Sequence, residues 1–415
     1  MNIDTKIIKV GYKPYLSEGS LTTPIFKSST FCFKSAEDGE RSFKIAYGID
    51  KKKENEDPCL IYTRVNNPNM EILEEKLAVL DNAELSLVFS SGMAAISNTM
   101  FTFLKPNDCI LFNEPVYGGT EFLLKNILPQ YGIECIPFKS GSSKEDIIEI
   151  AANKSNIKMI FVETPCNPLV KLTSINEMNL ARDEIDKNIV IAVDNTFSGP
   201  FYLKPLELGA DINIYSMTKF IGGHSDVVAG SISGKAKYIN QVKVLRTIMG
   251  TVLDPDSCWL VQRSLYTLKL RMNAQTNNTK LLYNYLKKSS YVKNVYYPGE
   301  DNDEIQNLIF KSEYSNSGSL ISFEIIGGKT KAFKILNSFK IVRLAVSLGS
   351  VDTLIQHPSS MTHSDLSLED QNKIGITESL LRCSVGLEDI NDIISDFENA
   401  FSCKQVVENN IPLHF

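Results

Sequence analysis

The chain has 415 residues, 43% hydrophobic and 22% charged, a composition that excludes a disordered or low-complexity protein and allows two or three domains. Lys plus Arg number 43 against 49 Asp plus Glu, a net charge of −6, which excludes the basic surface that nucleic acid requires. No apolar run approaches the roughly 18 residues needed to cross a bilayer, and the opening MNIDTKIIKVGYKP lacks the apolar core of a secretory signal, so a cytoplasmic protein with neither membrane nor nucleic-acid partners is expected.

Residues 1–65 carry turn signals at Gly11-Tyr12, Pro24 and Gly39 and a polar stretch from Gly48 to Pro58, the pattern of an extended arm or cap. Within it Lys51, Lys52 and Lys53 are followed by Glu54, Glu56 and Asp57, a solvated loop rather than a binding patch. From Pro68 the pattern changes: Met70, Leu73, Leu77 and Leu80 recur at helical steps with one buried face. Beyond it LSLVF (85–89), CILF (109–112), MIFV (159–162), IVIAV (189–193) and INIY (212–215) read as strands covered on both faces. Helical segments at 121–131 and 144–154 lie between them, so a doubly wound, mostly parallel α/β sheet ending near residue 265 is expected. A long helical pattern over 257–289 leads to a strand at 319–326 and a helix at 389–401, which predicts a smaller α+β domain over 268–415. The domains expected are therefore 1–65, 66–267 and 268–415.

Eight cysteines (Cys32, Cys59, Cys109, Cys135, Cys166, Cys258, Cys383 and Cys403) form no C-x-x-C pair, and His224, His357, His363 and His414 show no ligand spacing. Reduced thiols are expected and a metal centre is not. GGKT at 327–330 lacks the upstream glycine of a phosphate loop, that position being Phe323, and G-x-G-x-x-G and G-x-S-x-G are both absent.

Chemistry gathers after the strands, where ligands of parallel sheets bind. Asp194-Asn195-Thr196 follows one run, Ser216-Met217-Thr218-Lys219 the next, Ser90-Ser91-Gly92-Met93 the first, and Tyr117-Gly118-Gly119 lies just beyond the second. A desolvated lysine is more easily neutral and nucleophilic, and a Ser-Ser-Gly turn opening a helix offers N–H groups to an anion. An amine, a carboxylate and a phosphate cradle are what pyridoxal 5′-phosphate requires.

ETPCNP (163–168), DNTF (194–197), LELGADINIYSMTKFIGGHSDVVAG (206–230) and LLRCSVGLED (380–389) together resemble the Cys/Met-metabolism family of pyridoxal-phosphate enzymes. The resemblance runs from YTRVNNP (62–68) to the C-terminal helix. It implies the aspartate-aminotransferase-like fold (pyridoxal-phosphate fold type I) and a homotetramer, a dimer of dimers with shared active sites. By residue, it implies that Lys219 is the Schiff-base lysine, Asp194 the partner of the pyridine nitrogen, and Tyr117 the ring-stacking group and proton donor. Gly92, Met93, Ser216 and Thr218 match the phosphate cradle, and Tyr62 and Arg64 the pair reaching a neighbouring subunit's phosphate. Asn167 matches a residue beside the phenolic oxygen, and Arg382 and Ser347 the clamp on the substrate α-carboxylate. The substrate class implied is a small sulfur amino acid.

SLGSVDTLIQHPSSMTHSD (347–365) is most like the methionine γ-lyase branch. Ile61 and Val346 stand where cystathionine enzymes often carry acids, which points to a thioether substrate, since an unpaired buried ammonium is costly. The reaction expected is α,γ-elimination of L-methionine, with cystathionine β- or γ-lyase, cystathionine γ-synthase or O-acylhomoserine sulfhydrylase as alternatives. Three features depart from that branch: Gly119 in place of a cysteine, Arg246-Thr247 in place of Lys-Asp, and a long 34–59 segment.

Overall fold

The computed structural model describes residues 1–402 apart from 52, 54, 55, 57, 58, 301 and 302; Lys52, Glu54, Asp57, Cys403 and His414 lie outside the described residues. Seven strands form the larger sheet: β1 (Leu85–Phe89), β2 (Cys109–Glu114), β3 (Glu134–Lys139), β4 (Ile157–Glu163), β5 (Val190–Asp194), β6 (Ile212–Ser216) and β7 (Gly230–Gly234). Their order is β1-β7-β6-β5-β4-β2-β3, parallel from β3 to β6, with β7 antiparallel to both β6 and β1. Buried apolar clusters cover both faces, one around Leu87, Phe112 and Ile214 and another around Leu111, Val162 and Val193. That explains why the central strands lack apolar–polar alternation.

Five of these strands stand where the apolar runs predict them. Two do not announce themselves. β3 is an edge strand with half-exposed residues and Pro137, a residue tolerated only where no inner ladder needs its N–H. β7 is GSISG, and its glycines answer to close packing: a Cβ on Gly230 would lie 2.1 Å from the Ser91 carbonyl oxygen and one on Gly234 2.3 Å from that of Asp211.

The second sheet comprises β8 (Val292–Tyr296), β9 (Leu320–Ile325), β10 (Arg343–Leu344), β11 (Leu354–Gln356) and β12 (Leu380–Ser384), in the order β10-β11-β12-β9-β8. Helix Ile390–Ser402 packs Phe397 and Phe401 into its core. The single helix expected over 257–289 is two, Pro255–Leu265 and Leu268–Lys288. At the break the Ser264 carbonyl accepts from the Thr267 N–H at 3.2 Å and also from Arg271 Nη2 at 3.1 Å, so a tight turn and a side chain together close the end of the first helix. The second helix joins both cores, burying Leu268 and Met272 against the large sheet and Leu282 and Leu286 against the small one.

The N-terminal segment is less extended than its turn signals suggest. Ile3–Lys9 and Ala36–Ala46 are helical, each capped by a side chain, Asn2 and Ser35. Ile7 is buried in the large core, and the buried Lys76 amine donates to the Ile7 carbonyl at 2.6 Å. Among the described residues no helix is long and apolar enough to cross a membrane, and no group of three His, Cys, Asp or Glu is placed to hold a metal ion.

Candidate active site

The carboxyl ends of β4, β5 and β6 open onto a cavity of about 230 Å³. β1 delivers Ser91, which caps helix Gly92–Phe103 by accepting from the Ala94 N–H at 3.0 Å. Gly92 meets Ser216 so closely that a Cβ would lie 2.8 Å from the serine Cβ; only glycine brings these backbones together. The helix N-terminus, Met93 and the Ser216 and Thr218 hydroxyls therefore share one wall of the cavity, a cradle of donors at a positive dipole end.

At the end of β5, Asp194 Oδ1 accepts from the Thr196 N–H at 3.0 Å and from its hydroxyl at 2.6 Å. Thr196 Oγ1 in turn accepts from the Ser216 N–H at 2.8 Å. Thr196 thus locks the ends of β5 and β6 together, and among the described residues no hydrogen bond goes to Asp194 Oδ2. Burial raises the Asp194 carboxyl, a cost that a cationic ring nitrogen against Oδ2 would offset.

Lys219 leaves β6 one turn later. Burial, with the Arg382 charge added to it, brings its amine down to about 8, and Nζ donates to Ser347 Oγ at 2.9 Å. Ser347 has φ +108°, a left-handed conformation that costs a non-glycine residue about 1–3 kcal/mol. Its carbonyl accepts from Arg382 Nη2 at 2.7 Å, and Arg382 Nη1 donates to Asn167 Oδ1 at 2.7 Å. Arg382 comes from β12 of the second sheet, is 4% exposed and lines the cavity; a planar guanidinium there has the geometry that suits a carboxylate.

The segments behind these groups are held by one helix face. Arg271 Nη1 donates to the Phe220 carbonyl at 2.8 Å, and Gln275, one turn on, donates to the Ser350 carbonyl at 2.6 Å. Gly223, at φ +72°, leaves room for that guanidinium: a Cβ there would be 1.9 Å from Arg271 Nη1.

Tyr117 is 46% exposed and stands at the mouth. A Cβ on Gly119 would lie 2.7 Å from its ring Cε1 and 3.3 Å from Met93 Sδ, so the ring rests directly on glycine. The Tyr117 N–H donates to Glu163 Oε2 at 2.8 Å and the Asn167 N–H to Oε1 at 2.9 Å. Burial and the neighbouring Asp194 push the Glu163 carboxyl up.

The structure thus brings Lys219, Asp194, Gly92, Met93, Tyr117, Asn167, Ser216, Thr218, Ser347 and Arg382 around one cavity. Tyr62 and Arg64 are not among its lining. Arg64 lies 5.8 Å over the Tyr62 ring and donates to the Thr247 carbonyl at 2.7 Å. Ile61 and Val346 do not line it either: Ile61 is buried within the N-terminal segment, Val346 is exposed. The apolar wall that this chain supplies is Ile96, Phe197, Val228 and Leu348. Sequence reading misses that wall, and misses Glu163 and Thr196 as participants although both stand inside its quoted motifs; their roles lie in hydrogen bonds that run across neighbouring strand ends.

The donor set suits pyridoxal phosphate: a glycine-tight cradle for the phosphate, a buried carboxylate with a free oxygen for the ring nitrogen, and a desolvated amine for the aldehyde. Comparison with known proteins agrees. The family model described as Cys/Met metabolism PLP-dependent enzyme matches residues 4–402. The L-methionine gamma-lyase of Fusobacterium nucleatum is 38% identical over 92% of this chain and 93% of its own. The cystathionine gamma-lyase of Bacillus subtilis is 35% identical over 92% and 94%. The crystal structure of a cystathionine gamma synthase from Xanthomonas oryzae superposes with a TM-score of 0.87 at 29% identity, over 97% of this chain and 98% of that one.

Proposed function

We propose, from the premise that this chain belongs to the Cys/Met-metabolism family of pyridoxal-phosphate-dependent enzymes, that it converts L-methionine and water to 2-oxobutanoate, methanethiol and ammonia. The observation that carries this choice is the cavity's charge. Among the described residues its only lining carboxylates are Glu163 and Asp194. Both Glu163 oxygens accept backbone N–H groups, and Asp194 Oδ1 is taken by Thr196. The distal ammonium of cystathionine would face Ile96, Phe197, Val228 and Leu348 unpaired, whereas a methyl thioether loses little there. The 38% identity to a methionine γ-lyase supports the same reading.

In this reading Gly92, Met93, Ser216 and Thr218 hold the phosphate, Asp194 Oδ2 the ring nitrogen, and Asn167 the phenolic oxygen. The bound cofactor supplies an electron sink for charge developing at the substrate α-carbon. Arg382 and Ser347 hold the α-carboxylate by a forked, charge-assisted pair. Lys219, its amine brought down to about 8 by burial, removes the α-proton and carries protons among the substrate carbons. Tyr117 gives its phenolic proton to the departing sulfur, so methanethiol leaves neutral; the water that releases ammonia completes the balance. The same proposal includes a cytoplasmic homotetramer built as a dimer of dimers. There residues 1–65 serve as an arm, 66–267 as the cofactor-binding domain and 268–415 as the small domain. Tyr62 and Arg64 serve the neighbouring subunit's cavity.

The test is product identification by mass spectrometry with L-methionine and L-cystathionine supplied separately to the cofactor-loaded protein. Methanethiol and 2-oxobutanoate from methionine are expected; turnover of cystathionine alone would overturn the assignment.

A further inference from the structure

We propose that Glu163 is a positioning residue: its one carboxyl group fixes Tyr117 and the Asn167–Arg382 pair at a set separation, the two groups that would meet opposite ends of the substrate. This rests on the roles proposed above for Tyr117 and Arg382.

The geometry is a bridge. Oε2 accepts from the Tyr117 N–H at 2.8 Å and Oε1 from the Asn167 N–H at 2.9 Å. Asn167 passes the constraint on, since its Oδ1 accepts from Arg382 Nη1 at 2.7 Å. The anchor is itself fixed. Asn113, fully buried on β2, accepts from the Glu163 N–H at 2.7 Å and donates to the Glu163 carbonyl at 3.0 Å. Glu163 also pairs in register with Asp194 across β4 and β5, so the cofactor's nitrogen partner shares the frame.

A purely structural carboxyl would be an odd choice here. It is 3% exposed and faces Asp194, an arrangement that penalises charge. What a carboxyl offers is two acceptors on one rigid plane, matched to two backbone donors from different loops. A glutamine keeps only one acceptor and turns an N–H₂ group against the other donor.

The experiment compares the holoenzyme with Glu163→Ala and Glu163→Gln. Two quantities are read per folded, cofactor-loaded protein: kcat for elimination, and the affinity for glycine, an α-amino carboxylate with nothing to eliminate, followed by the cofactor's visible absorbance. For E163A we expect kcat lower by about tenfold or more and glycine affinity weaker by about fivefold, both together. A merely structural role would lower the melting temperature and the folded yield while leaving both quantities unchanged. Loss of one alone, or of neither, overturns the shared anchor. Should E163A yield no folded holoenzyme, E163Q decides: loss in at least one quantity supports the bridge, and both within about twofold of the parent overturn it. Failure of the underlying roles is distinguishable, because Arg382→Ala would then leave glycine binding intact and Tyr117→Phe would leave kcat intact, whatever Glu163 does.

Discussion

Lys219 and Ser347 meet at 2.9 Å, amine to hydroxyl, and the serine does so from a left-handed backbone at φ +108°. The sequence distance is 128 residues, and the two come from different sheets' connections. A strained residue that touches the nucleophile with its hydroxyl and the carboxylate clamp with its carbonyl has two jobs at once.

The strain and the hydroxyl separate in one substitution. Ser347→Gly relieves the left-handed backbone and removes the amine's partner. Thermal stability is expected to hold or rise, by up to about 1 kcal/mol, while turnover falls about tenfold or more. Calorimetry and steady-state kinetics on one preparation check both signs.

The Lys219 amine, brought down to about 8 by burial, gives a pH dependence of cofactor capture by the apoprotein. Only the neutral amine attacks an aldehyde, so capture should be slow below the lowered pKa, rise with pH through about 8, and level off above it. An exposed lysine would keep rising toward 10.5. Stopped-flow absorbance between neutral and alkaline pH reads the midpoint; Lys219→Ala should neither develop the visible band nor turn over.

Tyr117 and Gly119 should behave as one unit. Tyr117→Phe is expected to slow elimination about 100-fold with cofactor retained. Gly119→Ala, whose Cβ would lie 2.7 Å from the ring, displaces the same phenol and should cost about tenfold. In the double variant the two losses should not add; full additivity would separate them.

Arg382→Lys keeps the charge and loses the fork. With Asn167 Oδ1 and the Ser347 carbonyl already using two donors, an ammonium has one N–H left and cannot hold both oxygens of a carboxylate. KM for methionine should rise about 10- to 100-fold with a smaller change in kcat.

Much of the large domain is legible in the sequence, for identifiable reasons. The central strands are doubly covered, so their apolar runs mark them, and the residues just past the ends of those runs include Asp194, Ser216 and Lys219. β7 is not legible because its glycines and serines answer to Ser91 and Asp211 carbonyls from elsewhere. Neither is the break at Tyr266-Thr267, where a guanidinium from the next turn adds to the Thr267 N–H on the Ser264 carbonyl. The apolar positions picked for specificity, Ile61 and Val346, fall outside the lining. The wall that this chain supplies to its own cavity is drawn from four distant segments that no spacing connects.

Arg271 and Gln275 sit one turn apart on a helix whose ends belong to different cores, and each grips the chain just beyond a reacting group: Phe220 after Lys219, Ser350 after Ser347. The helical repeat of about 5.4 Å is therefore the gauge that sets the gap between amine and hydroxyl. Any tilt of the smaller sheet would carry the two grips as one body, so the contact between Lys219 and Ser347 is insulated from such a motion.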